Sequence, residues 1–272
     1  MQLTGSLQKM ETALEEKVQY RLPIGEARVD MNALIGHELK LHYQGEIHCV
    51  ACGRKSKKSF NQGFCYPCFQ RLPQCDSCVI KPEQCHHAEG TCRDEDWAEV
   101  QCMIDHYVYL ANSSGLKVGI TRGTQVPTRW MDQGAVAALP IFRVKDRLTS
   151  GKVEVALKAY VNDKTSWQRM LKGNPEPIDL QAARDQLFVD AEAPLKALEA
   201  SLGAGAMEAL TQEPIQISYP VETYPTKVKS FNFDKTPVVE GRLQGIKGQY
   251  LIFDSGVLNI RKFGGYQVEL SA

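Results

Sequence analysis

Nine cysteines are the residues of this 272-residue chain whose type and spacing point most directly to chemistry. The first four form two CxxC pairs separated by twelve residues: Cys49, Cys52, Cys65 and Cys68. Two such pairs can deliver four thiolates to the corners of a tetrahedron, which is how structural zinc is held. Gly53, directly after the first pair, supplies the permissive backbone that a turn around a metal needs. We therefore predict a zinc-ribbon-type site.

A second set of four cysteines follows at once: Cys75, Cys78, Cys85 and Cys92. The spacing is irregular for zinc, and four thiols also suit an iron–sulfur cluster. We predict a second metal site in this set, with zinc as the first choice and an iron–sulfur cluster as the alternative. Cys102 is left over, and we interpret it as a buried thiol.

Charge is segregated along the chain although 32 basic and 32 acidic residues give no net charge. A basic loop between the first two CxxC pairs is either a phosphate contact or a solvated loop tip. Residues 115–172 carry eleven Lys and Arg against four Asp and Glu, whereas residues 174–222 carry two against nine. Clustered cations favour a polyanionic partner, so we predict nucleic-acid binding, and the acidic segment is a candidate surface for a protein partner. The candidate nucleic-acid contacts are Arg54, Lys55, Lys57, Lys58, Arg122 and Arg143.

The elements that must position these residues are predicted from hydrophobic periodicity and turn residues. Between the cysteines and the acidic segment, two strands joined by an NSSG turn precede a helix, a third strand and a second helix. Pro127 opens the first of these helices. In chain order the elements are strands 107–111 and 116–121, helix 127–135, strand 138–145 and helix 151–161. The order ββαβα in about sixty residues predicts a compact α/β core.

Both ends of the chain show period-two apolar spacing, which predicts strands that pair into one small sheet or barrel. The acidic segment has leucines at helical spacing, with Pro194 as a break or kink and Gly203 as a C-terminal cap. The fold class is therefore α+β. We divide the chain into N-terminal strands at 1–47, a cysteine-rich metal-binding module at 48–104, the α/β core at 105–172, an acidic helical segment at 173–222 and C-terminal strands at 223–272.

Four motifs in the central segment resemble the GIY-YIG nuclease domain: YVY at 107–109, KVG at 117–119, TRW at 128–130 and KVEVAL at 152–157. The resemblance implies that a tyrosine, an arginine and a glutamate surround one divalent cation, Mg²⁺ or Mn²⁺, in an endonuclease. On this chain the matching residues are Tyr109, Lys117, Arg129 and Glu154. Lys117 stands where the family has its second-motif tyrosine, which leaves lost catalysis as an alternative.

Most of the chain is also similar to a bacterial family known as domain of unknown function 2797. The stretches that carry this resemblance are CxxCG, GTCRDEDWAEVQC, VYLANSSGLKVGITR, PTRWMDQGA and DKTSWQRML. The family name implies no activity. The resemblance is consistent with metal-binding CxxC pairs joined to a GIY-YIG-like core.

The composition, with 43% hydrophobic residues, is typical of a globular protein and excludes a disordered, collagen-like or coiled-coil chain. No apolar run approaches membrane-spanning length, and acids interrupt the start where a signal peptide needs an apolar run, so we expect a cytoplasmic protein. We predict a metal-binding, nucleic-acid-associated protein, and the first hypothesis is the one that the GIY-YIG resemblance implies, a metal-dependent nuclease that cleaves phosphodiester bonds. The alternatives are a non-catalytic binder of RNA or DNA and a protein-interaction module that retains the fold.

Overall fold

A computed structural model describes residues 1–272 as an α+β protein with three β-sheets, and the predicted fold class is confirmed at this level. The strands are β1 Gln2–Ser6, β2 Glu11–Ala13, β3 Gln19–Ile24, β4 Ala27–Asp30, β5 Glu38–His48, β6 Lys55–Ser56, β7 His106–Asn112, β8 Leu116–Arg122, β9 Ala137–Val144, β10 Met207–Ala209, β11 Ile215–Gln216, β12 Val238–Lys247, β13 Tyr250–Phe253, β14 Gly256–Asn259 and β15 Tyr266–Ser271. The helices are α1 Tyr66–Arg71, α2 Glu95–Gln101, α3 Thr128–Asp132, α4 Arg147–Leu157, α5 Trp167–Met170, α6 Leu180–Asp190 and α7 Glu192–Leu202. None of these helices has the combination of length and apolar composition that crossing a membrane requires.

Strands from both ends of the chain pair in one antiparallel sheet, as predicted. Strand β5 lies at its centre, between β15 and β12, and its alternating residues Leu39 and Leu41 are buried while Lys40 is exposed. This alternation follows from the pleat, which sends successive side chains to opposite faces. The strand order β1-β15-β5-β12-β13-β14 leaves β1 and β14 as separate edges. The sheet is therefore open, and the barrel alternative is wrong.

A second antiparallel sheet, β2-β3-β4, covers the inner face of this terminal sheet. Its central strand buries Tyr20, Leu22 and Ile24 in a cluster of 31 core residues that also contains side chains of β5, β12 and β15. These three short strands lie inside the region 1–47 that was predicted to form strands, but they were not predicted individually. Strand β3 ends in LPI, a continuous buried run that has no alternation to mark it.

The third sheet is the scaffold of the central segment. Its order is β10-β9-β7-β8, with β11 also on β9, and all the pairs are antiparallel. The chain order β7, β8, α3, β9, α4 is the predicted ββαβα order. Helix α3 ends three residues early because Gly134 turns the chain with φ +69°. Helix α4 begins four residues early because the carboxylate of Asp146 accepts the N–H of Thr149 at 2.7 Å.

The acidic segment forms helices α6 and α7, which pack against α4 and β9. Their boundary falls at Ala191, three residues before the predicted break at Pro194. Pro194 is the third residue of α7, where its missing N–H costs no intrahelical hydrogen bond. Gly203 ends α7 with φ +90°, as predicted.

Candidate functional site

The first cysteine cluster is held by the ends of two regular elements. Cys49 directly follows β5, and Cys65 directly precedes α1, whose first turn carries Cys68. The sulfur atoms of Cys49, Cys52, Cys65 and Cys68 all lie within 4.8 Å of one another, and those of Cys52 and Cys65 are 3.7 Å apart. Zinc–sulfur bonds of ~2.3 Å in a tetrahedron place two sulfurs ~3.8 Å apart. The cluster therefore has the dimensions of a four-thiolate zinc site.

The thiols of this cluster are electrostatically unequal. Burial opposes ionisation of Cys49, but the backbone N–H groups of Cys65, Cys52 and Ala51 outweigh it and lower the pKa of Cys49 to about 6. Burial and the neighbouring thiols raise the pKa of Cys68 to about 12. A metal binds cysteine in the thiolate form. The positive charge of a bound cation would therefore offset the repulsion between neighbouring thiolates.

The cluster is docked on the terminal sheet through a close backbone approach. The N–H of His48 donates to the carbonyl of Gly265 at 2.7 Å, and that of Val50 to Gly63 at 2.9 Å. A Cβ atom at Gly265 would lie 2.2 Å from the His48 oxygen, and Gly265 also has φ +83°. Only glycine fits there. The FGGY stretch before β15 thus fixes the first cysteine pair, a function that the sequence analysis does not assign to it.

The second set of cysteines is spread over short 3₁₀ turns. Cys78 lies with Asp76 and His86 in a group whose ligand atoms are all within 4.8 Å of one another. Cys75, Cys85 and Cys92 lie outside that group. Cys75 is buried, and Asn61 and Arg93 lower the pKa of its thiol against the larger effect of burial, which raises it. The thiol of Cys92 donates to the carbonyl of Asp94 at 3.5 Å.

The predicted nucleic-acid contacts differ in exposure and in whether they already form ion pairs with acids. Arg54, Lys57 and Lys58 are exposed without an ion-pair partner, whereas Lys55 donates to Glu46 at 2.5 Å. Arg122 is half-buried. Arg143 is exposed and contacts Glu208 at 2.5 Å and Asp105 at 3.8 Å. Two of the six cations are therefore already paired with acids.

Three of the elements of the central segment meet at Gln133. The hydroxyl of Tyr109, on β7, donates to Oε1 of Gln133 at 3.0 Å, and the ammonium of Lys117, on β8, donates to the same oxygen at 2.6 Å. Gln133 directly follows α3, the helix that carries Arg129. The carbonyl of one side chain therefore links the two predicted strand residues.

The ring of Tyr109 is positioned by its neighbours across the sheet. It is fully buried, and it packs edge-on against Trp130 with ring centroids 5.8 Å apart. Tyr109 pairs with Gly119 on β8, where a Cβ atom would lie 2.7 Å from the tyrosine hydroxyl. Only a glycine at this position leaves room for the tyrosine ring. This explains the glycine of the KVG motif in steric terms.

The four predicted catalytic residues form one electrostatic cluster. Burial and, to a smaller extent, the charge of Arg129 lower the pKa of Lys117 to about 8, and Glu154 opposes both effects. Burial raises the pKa of Tyr109, whereas Arg129 lowers it. Burial also raises the pKa of Glu154, which Lys158 and Lys117 lower. The structure thus brings Tyr109, Lys117, Arg129 and Glu154 together, but only Arg129 and Glu154 are partly exposed to solvent.

Several residues that the sequence analysis missed belong to this cluster. Lys158 lies 3.9 Å from Glu154 and 3.2 Å from Asp163. Glu83, from the cysteine-rich module, raises the pKa of Glu154, and its Oε2 atom is buried without a hydrogen-bond partner. Gln133 follows Arg129 by four residues, the spacing of neighbours on one helix face, and this spacing was the available signal for it. Glu83 had none, because it comes from another module.

Two cavities lie away from this cluster. One of about 350 Å³ is lined by the β2–β3 hairpin, including Glu11, Tyr20 and Arg21. The other, of about 230 Å³, lies between Phe142 and Phe188 beside α7. Tyr20 in the first cavity and the exposed Glu192–Lys196 pair in the second also have shifted pKa values, but neither cavity brings together a buried lysine, a buried tyrosine and a half-buried carboxylate as the Gln133 cluster does. We place the candidate site at the Gln133 cluster because perturbed pKa values concentrate where chemistry is done.

The chain belongs to the family described as protein of unknown function DUF2797, whose model matches residues 36–268. The match covers the cysteine clusters, the central segment and most of the terminal sheet. Neither the curated proteins nor the solved structures contain a match. Any function must therefore be argued from the residues of the site.

Proposed function

We propose that this member of the family is a zinc-stabilised, nucleic-acid-associated protein with a GIY-YIG-like core that cleaves phosphodiester bonds with the help of Mg²⁺ or Mn²⁺. One observation carries the proposal. Tyr109, Lys117, Arg129 and Glu154 were selected by their order along the sequence, and they come from four different elements that meet around Gln133. Unrelated surface residues would have no reason to converge in this way.

Arg129 and Glu154 are the residues that would contact the substrate side of the cluster. A guanidinium can neutralise the charge that grows on phosphoryl oxygens during cleavage. A single carboxylate suffices for Mg²⁺, which keeps several waters and takes its remaining ligands from phosphate. Glu154 fits this role because 14% of its side chain is exposed and its closest cation, Lys158, is 3.9 Å away. When bound, the cation would supply charge neutralisation at the phosphate.

Tyr109 and Lys117 are too deeply buried to contact a substrate in this arrangement. Both donate to Oε1 of Gln133, which leaves its Nε2 group without a protein partner. That amide group is therefore available to donate a hydrogen bond to a phosphate oxygen or a water. We assign Tyr109 and Lys117 as positioning residues for Gln133.

A second candidate function is non-catalytic binding of RNA or DNA. Three observations favour it. Lys117 occupies the place of the tyrosine in the second motif, and the hydroxyl of Tyr109 is engaged by Gln133. Net charge is +7 over residues 115–172, which supports polyanion binding irrespective of turnover.

The experiment is a cleavage assay with single- and double-stranded DNA and RNA in Mg²⁺ or Mn²⁺. We expect Glu154→Gln and Arg129→Gln each to reduce cleavage by about 100-fold or more, as losing one charge-stabilising group does elsewhere. The matched controls are Glu199→Gln and Arg169→Gln, which remove exposed charges outside the cluster.

Binding measured in the same samples separates the two functions. Salt-sensitive binding with no cleavage by wild type would support the non-catalytic alternative. If wild type leaves every substrate intact and binds none, both proposed functions are wrong.

A further inference from the structure

Residues 76–94 have little of their own to hold them in place. They contain three 3₁₀ turns, Ser77–Val79, Pro82–Gln84 and His87–Glu89, and no strand. Their backbone hydrogen bonds span at most four residues, and no side chain of this segment belongs to a hydrophobic cluster. Segments of this kind commonly depend on a covalent or metal cross-link.

Three zinc-ligand types meet inside this segment. One ligand atom each of Asp76, Cys78 and His86 lies within 4.8 Å of the other two. Carboxylate oxygen, thiolate sulfur and imidazole nitrogen are the donors that zinc takes in proteins. Asp76 is buried, and the other two residues are half-buried.

The surroundings of these residues match those of metal ligands. Nδ1 of His86 is 2.8 Å from the hydroxyl of Thr91, and its Nε2 atom is 3.6 Å from Oδ2 of Asp76. A ligating histidine typically donates its other ring N–H to a fixed partner, and a ligating carboxylate is itself hydrogen-bonded. Arg93 supplies the second of these contacts, since its Nε atom is 2.7 Å from Asp76.

We propose that Asp76, Cys78 and His86 bind a second zinc ion, with Cys85 as the fourth ligand. Cys85 directly precedes His86. Like Cys78 and His86 it is half-buried, and its position next to a ligand in the chain keeps it at the edge of the group. Cys75 and Cys92, which spacing also assigned to a second site, are replaced in this ligand set by Asp76 and His86. Both cysteines lie outside the group, and the thiol of Cys92 donates to the carbonyl of Asp94.

A metal here would clamp the cysteine-rich module onto the central segment. The turn Pro82–Gln84, between the two proposed cysteine ligands, packs directly on α4. A Cβ atom at Gly151 would lie 2.4 Å from the backbone nitrogen of Glu83, so only a glycine allows this approach. Nη2 of Arg147 also donates to the carbonyl of Val79 at 2.5 Å. Helix α4 carries Glu154, but the second site does not depend on nuclease chemistry.

Zinc content of the purified full chain tests the proposal. We expect about two zinc ions per wild-type chain and about one in Cys78→Ser and in His86→Gln, because each removes one ligand of a four-coordinate site. Cys75→Ser is the matched control and should keep both ions. One zinc in wild type would overturn the proposal, and so would a variant pattern in which Cys75→Ser loses an ion while His86→Gln keeps both.

X-ray absorption of the wild-type protein avoids variants that fail to fold. Four sulfurs at the first site and two at the second predict an average of about three sulfur ligands and one nitrogen or oxygen ligand per zinc. A shell of sulfur alone would overturn the assignment of Asp76 and His86. Iron with inorganic sulfide in place of the second zinc would overturn the metal.

Discussion

The first cysteine cluster and the Gln133 cluster are built in opposite ways. The four thiols come from twenty consecutive residues, Cys49 to Cys68, and are placed by the end of one strand and the start of one helix. The side chains around Gln133 come from β7, β8, α3 and α4, and they meet only when the third sheet has formed. A local cluster can be recognised from spacing, whereas a cluster of distant residues depends on the fold. The two should therefore respond differently to substitution.

The largest effect is expected from a substitution in the first cysteine cluster. Cys65→Ser should lower the stability of the protein by several kcal/mol, since structural zinc contributes about 10–16 kcal/mol of apparent binding energy in small metal-dependent domains. Thermal unfolding followed together with zinc content measures this effect. Glu154→Gln is the contrasting variant and should keep both zinc and melting temperature. Equal melting temperatures for Cys65→Ser and wild type would contradict the claim that the first cysteine cluster stabilises the protein more than the Gln133 cluster does.

The next effect concerns the buried cation of the Gln133 cluster. The folded-state pKa of Lys117 is about 8, below its ordinary 10.5, so between these values the unfolded chain binds the extra proton. Stability should therefore rise with pH across this window, and burial of the charge should cost up to about 3 kcal/mol below it. Lys117→Met should be more stable than wild type at pH 7, and its free energy of unfolding should increase less with pH across this window. Denaturant unfolding at pH 7, 8, 9 and 10 measures both effects.

Lys164→Met, on an exposed residue, is the control for this substitution. Lys247 keeps its own share of the pH dependence in the variant, because burial lowers its pKa to about 8 as well. A Lys117→Met protein less stable than wild type at pH 7 would mean that the hydrogen bond to Gln133 outweighs the cost of burying the charge.

A smaller loss is expected from filling the space over β8. Gly119→Ala places a Cβ atom 2.7 Å from the Tyr109 hydroxyl and 2.8 Å from its Cζ atom. Overpacking of this kind costs about 1–3 kcal/mol. Zinc content should not change, because the cysteine clusters are not in contact with this pair. Unfolding of the double variant Gly119→Ala, Tyr109→Leu should show part of the loss recovered, and an additive result would exclude the steric explanation.

The smallest effect is expected from Tyr109→Phe. The variant removes one of the two hydrogen bonds to Oε1 of Gln133 and leaves Lys117 as its donor. Such a loss costs about 0.5–1.5 kcal/mol. If Tyr109 serves only to position Gln133, any cleavage should decrease modestly. A loss of cleavage as large as that of Glu154→Gln would instead make the hydroxyl a catalytic group.

Spacing and periodicity predicted the first cysteine cluster, the pairing of the two chain ends and the ββαβα order. These features follow from local rules: two CxxC pairs, alternating apolar residues, and strands separated by turn residues. What the sequence concealed depends on contacts between distant residues. Gly265 is needed because His48 lies against it, Glu83 joins Glu154 because Gly151 admits its turn, and Cys78 lies with Asp76 and His86. These contacts join residues from separate parts of the chain, so no local sequence pattern predicts them.

The position of β5 affects how the chain can acquire its structure during synthesis. Tyr43 on β5 pairs with Val268 on β15, so the strand leaves the ribosome more than 200 residues before its partner. The cysteines of the first cluster follow β5 immediately and can capture a metal while the rest is still being translated. A metal-bound first cysteine cluster would then fix the end of an unpaired, aggregation-prone strand until β12 and β15 have been synthesised. Metal limitation during expression should therefore yield insoluble chains more readily than metal removal from the finished protein.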